Sequence, residues 1–274
     1  MTGSAAADRN IWTRPLADLF ARQRELTIFG LILVALTIMM TLAQYFDART
    51  LGGANIWVKP ARFAGSIGVF VLTTAWFFGY VRPERRQSAL MRGTVWMVIV
   101  AGAFEIIWIS YQASRALASH FNTDTGFYTF MYALMGLFAV ILIAAAVPLA
   151  WEIGRRPAPG LRSDFVTAVV IGLVITFVLG TATGAHMAAQ PSHAVGAEGN
   201  GLPLFGWNRL GGDLRIAHFM GIHAEQAMAL LGAMVGGLSL GRARLLILGG
   251  AAAWSIIAVL LFAQAIGGRA LWPM

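Results

Sequence analysis

The chain contains no cysteine. That excludes disulfides, iron–sulfur clusters, thiolate metal sites and cysteine nucleophiles together. Lysine is almost absent as well: of twenty basic residues, only Lys59 is a lysine. A retinal Schiff base needs a lysine within the helix bundle, and Lys59 stands at the outer end of its segment, so a seven-helix photoreceptor is excluded too. Charge of either sign is scarce. Only 12% of the residues are charged and 58% are hydrophobic, whereas a soluble domain carries about 25% charged residues. With a mean hydropathy of +0.70, this much apolar surface exceeds what a soluble core of 274 residues can hide, so the solvent is lipid. The isoelectric point near 11.0 does not indicate nucleic acid, because the arginines are scattered through short loops with no basic run and no interleaved aromatics.

About 20 apolar residues cross a bilayer core, and seven stretches qualify: roughly 26–46, 61–81, 94–114, 127–151, 164–187, 215–238 and 245–266. The expected fold class is therefore all-α, a polytopic bundle of seven transmembrane helices. Residues 1–25 lack the apolar run and cleavage site of a signal peptide. Within them, residues 10–25 set Ile11, Trp12, Leu16, Leu19 and Phe20 against Arg14, Arg22 and Arg24. This is the pattern of a short interfacial helix on a cytoplasmic tail, or of an ordinary juxtamembrane tail. Residues 26–274 form the transmembrane domain. Thirteen basic residues fall in one set of flanking segments and seven in the other. The more basic side faces the cytoplasm, which puts the N-terminus inside and the C-terminus outside, in a bacterial cytoplasmic membrane. The outer loop 188–214 is long, rich in Gly, Pro and Asn, and holds Leu202, Leu204, Phe205 and Trp207. Such a loop folds back over the helix ends. No internal repeat supports an inverted-repeat transporter. Small residues four apart at Gly180–Gly184, Gly232–Gly236 and Gly237–Gly241 suit close helix packing.

On this topology all five histidines, His120, His186, His193, His218 and His223, lie at or near the outer side. Two carboxylates, Glu105 and Glu225, sit deepest in the apolar segments. At about 1.5 Å rise per residue, Glu105 is roughly 13 Å below the outer surface, His223 roughly 12 Å and Glu225 roughly 15 Å. His186 and His218 form a shallower tier. His218 and Glu225, seven apart, share a helix face. Gln226, three residues from His223, can orient its ring. Glu105 and Gln112 form one polar stripe, and Arg62, Ser66 and Thr73 another. Arg62 can reach toward Glu105, or pair with Asp213 or Asp47. His120 either caps a helix end or joins the site, and His193 is expected to be solvated.

Ionisable groups within a membrane indicate function by default, and the residue types admit several chemistries. Imidazole and carboxylate suit a transition metal such as Zn, Fe or Cu. For that reading His186, His218 and His223 are the candidate ligands, Glu105 and Glu225 the candidate catalytic groups, and Arg62, Gln112, His120 and Asp213 the cofactor-binding residues. Haem b needs axial histidines on facing helices, which His186 and His218 can supply. Either cofactor implies redox or metal-assisted chemistry on a small or lipid-soluble substrate. The alternatives are a transporter or channel using Glu105 and Glu225, or an accessory subunit of a larger membrane complex or homo-oligomer.

Three stretches, IWVKPARFAGSI at 56–67, EIIWISYQASRALASHFN at 105–122 and GLPLFGWNRLGGDLRIAHFMGIHAEQ at 201–226, resemble the motifs of an uncharacterised bacterial family of multi-pass membrane proteins. The resemblance implies that Lys59, Arg62, Glu105, Gln112, His120, Asn122, Asp213, Arg215, His218 and His223 belong together. It carries no activity with it. It also expects an apolar residue before Gln226, where this chain has Glu225.

Overall fold

The computed structural model describes residues 14–199, 201–202 and 205–272. Ile11, Trp12 and Leu204 fall outside them. The described chain is mostly helical, with ten α-helices, and six helical spans are long and apolar enough to cross a membrane. Large apolar side chains stand fully outward on these spans, among them Ile107 (68% exposed), Leu245 (72%) and Leu260 (62%). That is the surface expected of a multi-pass protein solvated by lipid.

The amphipathic helix α1 (Arg14–Arg22) docks on the bundle through its last residue: the Arg22 guanidinium lies 3.8 Å from the Trp76 ring centroid and donates to the Trp76 carbonyl. Helix α2 (Arg24–Ala43) packs along α3 (Val58–Phe77). Between them a two-residue hairpin, β1 (Thr50–Leu51) and β2 (Ala54–Asn55), turns on Gly52 and Gly53. Both glycines have positive φ, as the tightest hairpin turn requires. Helix α4 (Ala89–Ser114) is continuous. The next span is divided into α5 (Gly126–Ala144) and α6 (Ala146–Arg155). Pro148, in the first turn of α6, lacks the N–H that would bond back to Ala144, which accounts for the interruption.

Helix α7 (Ser163–Ala188) is the centre of the second half and packs on α6, α8, α9 and α10. The sixth apolar segment differs from the expected single helix. It forms α8 (Leu214–Ile222) and α9 (Ala224–Met234), separated by one non-helical residue, His223. Helix α10 (Leu240–Ile266) closes the bundle. Loop 188–214 folds back as expected and builds a second small ladder, β3 (Ala194–Val195) with β4 (Gly212–Asp213), against the end of α10. These short ladders are the departure from a purely α fold.

The helix ends around α6 and the start of α7 are tied by ion pairs the sequence does not reveal. Glu152, 2% exposed, accepts from Arg85 at 2.8 Å and lies 3.5 Å from Arg156. Asp164, fully buried, pairs with Arg162 at 2.7 Å. Both carboxylates are as enclosed as Glu105 and Glu225, but each has its arginine, so both are structural.

Candidate functional site

The polar interior divides into two clusters. The first lies where α3 begins and α4 ends. Lys59, in the first turn of α3, shares a helix face with Phe63 four residues on, and its Nζ is 5.8 Å from that ring centroid. The same ammonium donates to His120 Nδ1 at 3.2 Å. A lysine ammonium only donates, so Nδ1 is the accepting nitrogen and the His120 proton sits on Nε2. The ring also lies 5.4 Å from Phe63. The loop that carries His120 is strained to present it: Phe121 has φ 56, a region that costs a bulky residue about 1–3 kcal/mol. Gln112 and Asn122 both donate to the Ala118 carbonyl and brace this loop. Removal from water and the adjacent Lys59 ammonium together hold the His120 imidazole well below its usual range.

Glu105 faces the same cluster, and Lys59 is the cation whose field reaches it. Arg62, expected as its partner, is turned elsewhere, and no hydrogen bond or ion pair joins Glu105 to Arg62 or His223 among the described residues. The reason is the start of α3. The helix begins at Val58, a turn earlier than hydropathy indicates, which brings Lys59 into the helix with its ammonium at His120, while Arg62 is exposed. Along α4, Glu105 Oε1, Trp108 Nε1 and Gln112 Oε1 are buried with no partner among the described residues. Their spacing of three and seven residues places them on one face. Buried polar atoms without partners cost about 1–3 kcal/mol each, so this face is not built for stability alone.

The second cluster lies at the break between α8 and α9. Two groups of the interrupted helix are satisfied from outside it. The Met220 carbonyl accepts from Trp254 Nε1 of α10 at 2.9 Å, and the Glu225 N–H donates to Thr176 Oγ1 of α7, also at 2.9 Å. Such capture satisfies backbone groups that an unbroken helix would bond internally. Gln226 connects the cluster. Its Nε2 donates to Glu225 Oε1 at 3.0 Å and to Thr73 Oγ1 of α3 at 3.2 Å, while its Oε1 lies 3.3 Å from His223 Nδ1. Gln226 therefore does orient His223, with its oxygen accepting the Nδ1 proton. Glu225 is fully buried and its Oε2 has no partner among the described residues. Beside Thr73 and Gln226, a groove of about 390 Å³ opens between α3, α9 and Leu19 of α1.

The candidate metal ligands do not assemble. The His186 ring lies edge-on to Phe262 of α10, 5.0 Å between centroids. The His218 ring turns into α7, with Nδ1 3.1 Å from the Gly180 carbonyl and 3.3 Å from Thr183 Oγ1. His223 turns toward Gln226 and lies 4.2 Å from Phe219. Among the described residues no group of three or more His, Asp or Glu side chains has a metal-binding arrangement. The His218 ring faces α7, whereas Glu225 meets α7 through its backbone N–H and turns its carboxyl group to Gln226. Asp213 is the N-cap of α8 and bonds Arg215 through both carboxylate oxygens at 2.9 and 2.6 Å. Burial alone would raise its pKa, but the Arg215 bonds hold it below the usual carboxylate range. It is a structural cap. His193, expected to be solvated, is partly buried beside this pair, and burial together with Arg215 lowers its pKa.

The His120 geometry has a stability consequence. Its folded pKa lies below that of the unfolded chain, about 6.5, so the unfolded state binds more protons once the pH falls through that value. Stability contributed here is complete above about pH 7 and declines toward pH 5, by up to about 1.4 kcal/mol per pH unit per group. Thermal unfolding in detergent should show that decline, and His120→Gln should flatten part of it. A variant whose decline matches that of the parent would show that His120 is not held neutral.

No family model matches the chain, and neither a curated protein nor a solved structure does.

Proposed function

We propose that this chain is a seven-crossing protein of a bacterial cytoplasmic membrane, N-terminus inside and C-terminus outside, that binds and passes protons or a small cation through its polar interior. The observation that carries this reading is Glu225: a fully buried carboxyl group at a helix break, with one oxygen engaged by Gln226 and the other without a partner among the described residues. A carboxyl group in that setting must be protonated, paired or ligating. Broken helices at the bilayer midplane are where transporters expose backbone and carboxylates to ions. His223, Gln226, Thr73 and Thr176 surround Glu225 with groups able to accept and donate hydrogen bonds. The outer Lys59–His120–Glu105 cluster supplies exchangeable protons on the side from which a substrate would enter.

A resident transition metal or haem b on His186, His218 and His223 has less support, because the three rings turn toward three different neighbours. Reconstitution into liposomes holding a pH-sensitive dye tests both readings. Proton movement is expected when a proton, Na⁺ or K⁺ gradient is imposed. Absence of flux under every gradient, with stoichiometric metal or a haem absorption band in the purified protein, would replace this reading with the cofactor one.

The topology has its own test. Thirteen inner against seven outer basic residues predict that reporter fusions at the two termini localise to opposite sides of the membrane. Both reporters on one side would eliminate the seventh crossing, which here is the broken pair α8–α9.

A further inference from the structure

At the outer mouth the charge pattern opposes helix stability. Helix α3 opens with Lys59 and Arg62, has no acidic residue in its first turn, and its N-cap, Trp57, makes no side-chain cap bond. Cations at a helix N-terminus oppose the helix dipole, and an anion there is favourable. Helix α8 brings a third cation, Arg215, to the same place, close enough for its charge to act on both Lys59 and Arg62. The loop turns between Arg62 and Arg215 at Gly206, whose φ is +69. The Gly206 carbonyl accepts from Arg215 Nη2 at 2.6 Å, and Arg62 Nη1 lies 2.5 Å from where a Cβ on Gly206 would be. Only glycine lets the guanidinium rest against that turn.

The carboxylates nearby do not complete the balance. Asp213 is committed to Arg215. Glu105 faces Lys59 from α4 without an ion pair to it, and Glu198 lies toward His193. Arg62 is exposed and makes no hydrogen bond or ion pair among the described residues. Beside this cationic turn the loop presents Phe205 and Trp207, stacked at 4.6 Å, with Phe205 44% exposed. The aromatic surface continues inward through Phe219, 5.6 Å from Trp207, to the His223 ring.

We infer that Arg62 and Arg215, gathered around the Gly206 turn, form an outward-facing site for a phosphate group. Arg62 supplies the uncommitted fork of donors that matches phosphate oxygens. Phe205 and Trp207 supply the apolar flank on which the rest of the ligand lies. The phosphate arrives either as the headgroup of an anionic phospholipid of the outer leaflet or as a free anion. This site stands independently of what Glu225 does.

The test is thermal unfolding of the purified full-length protein in a neutral, phosphate-free detergent. The probes are phosphatidylglycerol, inorganic phosphate, and a galactosyl diacylglycerol with the same tails and no phosphate. Phosphatidylglycerol should raise the transition saturably and the galactolipid should not. Arg62→Gln should need about tenfold more lipid for the same rise, the scale of one charge-assisted hydrogen bond, whereas Arg115→Gln, at another outer arginine, should behave as the parent. A matching rise with inorganic phosphate alone also supports the site and identifies the free anion as its ligand. An equal rise with the galactolipid, no rise with any probe, or an Arg62→Gln curve that overlays the parent would overturn the inference.

Discussion

Glu225→Gln is expected to reduce proton or cation flux in reconstituted vesicles by about 10²-fold or more, the scale on which a positioned acid–base group acts, while the protein still folds. Glutamine has the shape of glutamate and keeps an oxygen for the Gln226 Nε2 donor at 3.0 Å. What it loses is the ability to take up and release a charge. Its amide replaces Oε2, which had no partner among the described residues, so the stability change is confined to about 1–3 kcal/mol for one unsatisfied buried donor. Near-native unfolding with lost flux is therefore the expected pair of results. Glu105→Gln provides the contrast. Glu105 belongs to the outer cluster with Lys59, away from the helix break, so its loss should weaken entry and leave residual flux. Parent-level flux in Glu225→Gln would remove Glu225 from the pathway and, with it, the observation on which the transport reading rests.

The apolar segments were legible because lipid imposes a blunt rule: a helix must be long, apolar and internally hydrogen-bonded to cross. Hence 164–187 appears as Ser163–Ala188 and 245–266 as Leu240–Ile266. The boundary at α3 was less so. Hydropathy places the start at 61, because Lys59 and Pro60 depress the local average, yet proline is well tolerated in a first helical turn and the helix begins at Val58. That single turn brings Lys59 into the helix, and Lys59, not Arg62, is the cation whose field reaches Glu105. The break at His223 has no local signature. It depends on Thr176 and Trp254, which come from helices 49 and 34 residues away in sequence. Short-range pattern cannot announce a partner at that distance. Rise per residue gives an expected depth for Glu105, His223 and Glu225, but not the azimuth of each histidine, because azimuth depends on which neighbour each helix chooses. The metal reading assumed convergence, and packing resolved it otherwise.

Packing also separates the small-residue motifs that sequence treats alike, and Gly221→Val, at a glycine of α8 outside those motifs that meets the α7 backbone, is expected to be strongly destabilising. A Cβ on Gly221 would lie 2.8 Å from the Gly180 nitrogen and 2.9 Å from the Leu179 carbonyl carbon. Both obstacles are backbone of α7, so neither can rotate away, and valine adds two methyl groups to the clash. Gly180 meets Ile222 from the other side, Gly184 seats the His218 ring, and Gly172 lies against α9 at Glu225. The glycines of α7 and α8 thus set the distance at which Thr176 reaches the Glu225 N–H. Overpacking commonly costs about 1–3 kcal/mol, and against immovable backbone the expected loss is at or above about 3 kcal/mol. By contrast, Gly236, Gly237 and Gly241 have open space where a Cβ would be, although they share the same four-residue spacing. Gly241→Ala, inside α10, should be neutral or stabilise by up to about 1 kcal/mol through helix propensity. Equilibrium unfolding of both variants in detergent decides the matter. Equal stability of Gly221→Val and Gly241→Ala would mean that α7 and α8 do not approach as closely as described. The Thr176–Glu225 contact, and the helix break that depends on it, would then lose their structural basis.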